Sequence, residues 1–187
     1  MSRLTLAEIF APFPQCPLPP HEEVAPAQIP EPYRQLLVHD SHMTVSMEEF
    51  HGMSVDVHVL EKVLNEQEYA RRIALVKHGT HEVVQGGIVR MQLQLLQPEV
   101  RADIMSEQIP LGRVLINHDV LRTIEVLAYY RLQTTPALQE WLRFSSQAPC
   151  FGRLAWIHLD LLPVIKLFEI IPPYADFEPP SFAKPTG

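Results

Sequence analysis

Val164-Ile165-Lys166-Leu167-Phe168-Glu169-Ile170-Ile171, closed by Pro172-Pro173, is a short apolar run rich in branched residues and stopped by prolines. Such a run predicts a β-strand. Side chains alternate along a strand, so Glu169 shares a face with Ile165, Leu167 and Ile171, and Lys166 lies opposite with Phe168 and Ile170. A lone carboxylate on an apolar face costs several kcal/mol unless something pairs with it. Two readings follow: Glu169 has a partner across the sheet, or it waits for a ligand.

Working outward, the preceding segment from Arg153 to Asp160 predicts the other arm of a closing hairpin. Further upstream the period is also two. Val55, Val57, Val59 and Val63 alternate with Asp56, His58, Leu60 and Lys62. A second strand is expected over Tyr69 to Lys77, a hairpin tip at His78-Gly79-Thr80-His81, and a third strand over Glu82 to Leu95. Gly86-Gly87 inside that strand indicates a bulge or the close approach of another group. Consecutive strands of this kind imply an antiparallel meander. Helices are expected at Leu4 to Phe10, at Pro32 to Val38, over Val45 to Phe50, over Pro98 to Gln108, and over Thr135 to Arg143 with Thr135 as cap. Val120 to Leu132 fits a helix or a strand. The class is α+β: a largely antiparallel sheet with helices on one side.

At 187 residues the chain suits one domain, with 47% apolar and 20% charged residues. Eight of the 18 prolines fall between Pro12 and Pro32, which predicts an extended arm (residues 1–32) before the domain (33–173) and a Pro-rich tail (174–187) after it. Cys16 and Cys150 are too few for a disulfide scaffold and form no CxxC pair, so a cytoplasmic protein with free thiols is expected. The net charge of −7 argues against nucleic acid or an anionic membrane surface as the main partner. No apolar run approaches the ~18 residues of a membrane span.

For chemistry, Arg72 shares a strand face with Ala70, Ala74 and Val76. Small neighbours leave space above the sheet for an arginine to reach into a cavity. Arg71 lies on the opposite face with Tyr69, Ile73 and Leu75. Either arginine could equally be an edge charge. His39-x-x-His42 lacks further ligands at useful spacing, so no metal site is expected. There is no GxSxG elbow, P-loop or GxGxxG.

Four segments together resemble the chorismate pyruvate-lyase family, in its order and at similar spacing. They are Asp40-Ser41-His42-Met43-Thr44, Tyr69-Ala70-Arg71-Arg72, Pro110-Leu111-Gly112-Arg113, and Leu167-Phe168-Glu169-Ile170-Ile171-Pro172 preceded by Gly152-Arg153. The resemblance covers about Tyr33 to Pro173. It implies a six-stranded antiparallel sheet, helices on one face, an enclosed ligand cavity, and a cofactor-free lyase that releases pyruvate from chorismate. By position, Arg72 and Glu169 would be the catalytic pair. Arg72 and the Met43 N–H would hold the ring carboxylate, while Glu169 and the Leu111 N–H would hold the ring hydroxyl. Glu169, buried, would carry a raised pKa suited to proton transfer. Val45 and Gly87 stand where family members often carry a basic residue. Arg90 and Arg113 are the available substitutes for a second substrate carboxylate. The rival expectation is a non-catalytic binder of a small aromatic acid, since effector-sensing domains of some bacterial transcription regulators resemble this fold. Against a regulator, the proline-rich segment before the domain is too short for a helix-turn-helix. The oligomeric state is not legible.

Overall fold

The computed structural model describes residues 4–174. One antiparallel sheet of seven strands organises them, in the order β1-β5-β6-β7-β4-β3-β2. The strands are β1 (His21–Val24), β2 (Val55–Leu64), β3 (Tyr69–Lys77), β4 (Val83–Met91), β5 (Arg122–Leu132), β6 (Cys150–Leu159) and β7 (Leu162–Ile171). The helices are α1 (Leu6–Phe10), α2 (Tyr33–Leu37), α3 (Met43–His51), α4 (Pro98–Ser106), α5 (Leu111–Asn117) and α6 (Pro136–Leu142).

The expected α+β class and antiparallel sheet hold, with a seventh strand and a second helical layer. The additional strand, β1, comes from the Pro-rich N-terminal segment and pairs with the edge of β5. That segment is not an arm laid over the surface. Leu4, Leu6, Ile9, Phe10, Phe13 and Cys16 are buried in one core cluster with Phe168 and Ile170. Thr5 and Glu8 close a capping box that starts α1. Of the expected tail from 174 onward, only Tyr174 lies within the described residues, where its N–H donates to the Tyr33 hydroxyl at 2.8 Å.

Helices cover both faces, not one. On the first, α1 and α6 pack over Ala70, Ala74, Ile88, Phe168 and Ile170. On the second, α2 and α3 cover Val57, Ile73 and Leu75, and α4 and α5 cover Val89, Ile157 and Leu167. This double cover explains the nearly continuous apolar runs of β3, β4 and β7. Val120 to Leu132 resolves as strand from Arg122, because it lies along β6 over its whole length. The strand expected over Glu82 to Leu95 stops at Met91, where its neighbours' pairing also ends. Gly86 is a close approach: a Cβ there would lie 2.5 Å from Leu142 and 2.9 Å from Trp141. The register slip of this hairpin falls just before it, opposite Leu75 and Val76.

Candidate functional site

Three cross-strand rows on the second face make the floor of a cavity. Arg71 pairs with Val89, which pairs with Leu167. One step along, Ile73, Gly87, Glu169 and Arg153 form a continuous row. One step further, Leu75 pairs with Gln85. Residues two apart on a strand are separated by about 7 Å, so Arg71 and Gln85 mark opposite ends, with Glu169 between. Gly87, having no side chain, keeps the centre of the floor low.

The roof comes from the starts of two helices. His42, Met43 and Thr44 at the head of α3, and Pro110, Leu111 and Gly112 at the head of α5, line the cavity with the floor residues. The Pro-Leu-Gly-Arg segment owes its composition to this junction. Pro110 precedes the first helical turn, and a Cβ on Gly112 would sit 2.9 Å from the Thr44 hydroxyl. Arg113 ion-pairs with Glu48, tying α5 to α3. The space between floor and roof is about 50 Å³.

Two buried arginines stand in or beside it. Arg153, next to the lining through Glu169 and 1% exposed, is fully committed. Its Nε donates to Glu169 at 2.6 Å, and its other nitrogens donate to the carbonyls of Leu37 (3.2 Å), His39 (2.7 Å) and Ser41 (3.0 Å). Glu169 therefore has a partner across the sheet and holds the 37–41 loop through it. Burial raises the Glu169 pKa, and the Arg153 charge and hydrogen bond act against that rise.

Arg71 differs. It is also 1% exposed, yet no carboxylate among the described residues forms an ion pair with it. Nη1 donates to the Ile104 carbonyl at a long 3.3 Å, and Nε has no partner. Burial lowers its pKa, and the neighbouring Tyr69 and Glu107 oppose that. Glu107 itself is engaged by Lys62 at 2.7 Å and by the Tyr69 hydroxyl at 2.9 Å. At the far end of the floor, the Gln85 side-chain oxygen is likewise buried without a partner.

His42 closes one side. It lines both this cavity and an open cleft of about 560 Å³ formed with Asp40, Ser41 and residues 119–124. Its Nε2 accepts from the Arg122 guanidinium, which requires the neutral ring. Burial, then Arg122 and Arg153, push its pKa down to about 4.

The structure thus brings together Met43, Leu111 and Glu169, and leaves Arg72 out. Arg72 lies on the opposite face of the sheet, beside Glu61 and Trp141. The cation in the cavity is Arg71. The alternation of β3 already separated the two arginines, and the four-residue match pointed to the one that does not line this cavity. Arg90 and Arg113, the expected substitutes for a second carboxylate, are paired with Glu68 and Glu48 and do not line the cavity.

No protein-family model matches the sequence, and no curated protein does. Among solved structures the chain is similar to the possible transcriptional regulator YydK from Bacillus subtilis, at 10% identity over 64% of this chain and 59% of that one, with a TM-score of 0.46. It is similar to the effector domain of PhnF from Mycobacterium smegmatis, at 11% identity over 70% and 88% with a TM-score of 0.49. It is similar also to the C-terminal domain of the histidine utilization repressor from Pseudomonas syringae pv. tomato, at 13% identity over 70% and 99% with a TM-score of 0.45. The chain spans less than two thirds of the Bacillus regulator's length. At such identities the likeness concerns the fold and transfers no ligand.

The expectation of an enzyme is not kept: these neighbours carry the names of regulators and effector domains, not of lyases, and the likeness to them is one of fold alone. The chain's own geometry also departs from the expected site. The expected catalytic pair of Arg72 and Glu169 sits on two faces of the sheet, and the Glu169 carboxylate is tied to Arg153. A dicarboxylate such as chorismate would find one unpaired cation among the described cavity residues, not two. No helix among the described residues is long and apolar enough to cross a membrane.

Proposed function

We propose that this chain is a non-catalytic binding protein for a small aromatic acid carrying one carboxylate, seated between the sheet and the heads of α3 and α5. The observation that carries the reading is Arg71: a buried guanidinium with an unpartnered Nε, facing a cavity whose apolar walls are Val57, Ile73, Leu75, Val89, Ile157 and Leu167. A fold does not retain such a group for stability, because an unsatisfied buried donor costs about 1–3 kcal/mol. A ligand carboxylate would supply the missing acceptor in the planar, two-point geometry that arginine favours. The backbone N–H groups of Met43 and Leu111 would face the ligand from the roof, and Gln85 and Glu169 would meet its far end.

The cavity as it stands has room for one or two waters, at ~30 Å³ each. An aromatic acid therefore enters only when a wall moves. The wall shared with the open cleft is His42, so release of its hydrogen bond to Arg122 is the route in.

The test is a titration of isotope-labelled protein with 4-hydroxybenzoate and its neutral counterpart 4-hydroxybenzamide, followed at the backbone amides of Met43 and Leu111. The acid should shift both signals saturably, and the amide should bind about tenfold more weakly or worse. Arg71→Met should abolish the response, whereas Arg72→Met should keep it. The reverse pattern in the two variants, or no response to the acid, would refute the assignment.

A further inference from the structure

The face that carries α1 and α6 is only partly covered. Trp141 and Leu142 of α6 stand against Gly86 of β4, while the Gly86 side of β3 and the edge strand β2 lie beyond that contact. What remains is an open pocket of about 400 Å³, within the range of small-ligand sites. Its floor is Ala74, Val76 and Val83, whose small side chains leave the depth, and its rim includes His58, Leu60, Glu140 and Arg143.

Two of its groups are arranged for recognition. The Trp141 indole N–H donates to the Ile73 carbonyl at 2.9 Å, which locks the ring as a wall. The Arg72 guanidinium lies over that ring, 5.4 Å from its centroid. Its Nε and Nη2 share one Glu61 oxygen, both at 3.3 Å, longer than the ~2.7–2.9 Å of a well-made charge-assisted bond. No hydrogen bond engages Nη1 among the described residues. Arg72 is thus oriented by stacking, loosely paired, and left with donor capacity beside an apolar floor.

From this geometry we infer a second ligand site, distinct from the buried cavity, that takes a small organic acid with its carboxylate on Arg72 and its apolar body on Ala74, Val76 and Val83. It stands independently of the Arg71 cavity, because β3 separates the two and they share no lining residue. It needs no wall to move.

The experiment uses the Trp141 indole N–H and the backbone amides of Ala74 and Val76 in two-dimensional spectra of the labelled protein. Trp156→Phe assigns the indole signal. Phenylacetate is titrated against its neutral counterpart phenylacetamide. The acid should shift all three signals saturably, and the amide should bind about tenfold more weakly or worse. Arg72→Met should weaken the acid by the same factor. Ala137→Phe, which enters the pocket from the half-exposed side of α6, should block it. Shifts confined to Met43 and Leu111 would assign the acid to the buried cavity alone and overturn the second site. So would no saturable shift at Trp141, or equal binding by the acid and the amide.

Discussion

Replacing Arg71 by methionine separates a structural arginine from a ligand-binding one. A guanidinium that held the fold together would be missed, and its loss would lower stability. The geometry here predicts a gain. The Nε donor is buried without a partner, a cost of about 1–3 kcal/mol that the variant removes. Against this, the 3.3 Å bond from Nη1 to the Ile104 carbonyl and the favourable contact with Tyr69 are lost, together worth about 1 kcal/mol. Methionine is flexible enough to fill the space among Ile73, Val89 and Leu167. Replacing buried charge by well-packed apolar groups is often stabilising, and a net gain of up to about 2 kcal/mol is expected. For a chain of this length each kcal/mol moves Tm by about 2–4 °C, so Tm should rise by up to about 8 °C. Calorimetry of the ligand-free protein reads this directly. Repeating it at a ligand concentration of about 100 Kd should raise the unsubstituted protein by a further ~2.7 kcal/mol and leave the variant unmoved. A variant that melts below the parent, or that still gains from the ligand, would refute the reasoning.

Two further perturbations test the neighbours of Arg71. Glu169→Ala leaves Arg153 buried with its one ion-pair partner among the described residues removed, a loss of about 3–5 kcal/mol, or about 6–20 °C in Tm; Glu169→Gln should lose much less, and equal Tm values for the two would contradict the ion pair's role. His42 is neutral when folded, with its pKa lowered to about 4 from the 6.5 of a free imidazole, so the unfolded chain takes up its proton first as pH falls. Its contribution is present above about pH 6.5 and is lost between there and pH 4, by about 1–3 kcal/mol. Urea unfolding across that range, with His42→Asn subtracted, should show this slope, and parallel curves for the two proteins would sink it.

Much of this arrangement was legible because strand periodicity is a local property. Val164 to Ile171 was readable as a strand, and alternation alone put Glu169 with Ile165, Leu167 and Ile171 on one face, the face on which the cavity lies. Gly86-Gly87 was legible as a bulge or a close approach, and only the packed α6 shows that Gly86 is the latter. Less of the N-terminal segment was readable. Eight prolines forbid regular helix, but nothing local shows that Ile9, Phe10 and Phe13 find the core or that His21–Val24 meets the edge of β5. Those are long-range pairings, fixed only when the rest of the sheet exists. The Arg153–Glu169 pair falls in the same class, being set by the register of β6 on β7.

The misplaced arginine shows where motif matching and physics part company. A match between short segments is uncertain by one residue, and over most of a chain that error is harmless. Along a strand it is not, because a step of one carries a side chain through the sheet to the other face. Arg71 and Arg72 are adjacent, chemically identical, and paired across β4 with Val89 and Ile88 respectively. Yet one is enclosed with Met43, Leu111 and Glu169, and the other lies over Trp141 beside an open pocket. The parity of the strand, counted from Glu169 through Gly87 to Ile73 and then back by two to Arg71, decides between them without reference to any motif. The same parity that excludes Arg72 from the cavity gives it the small neighbours Ala70 and Ala74, and so its own space. The two pockets are consequences of one register.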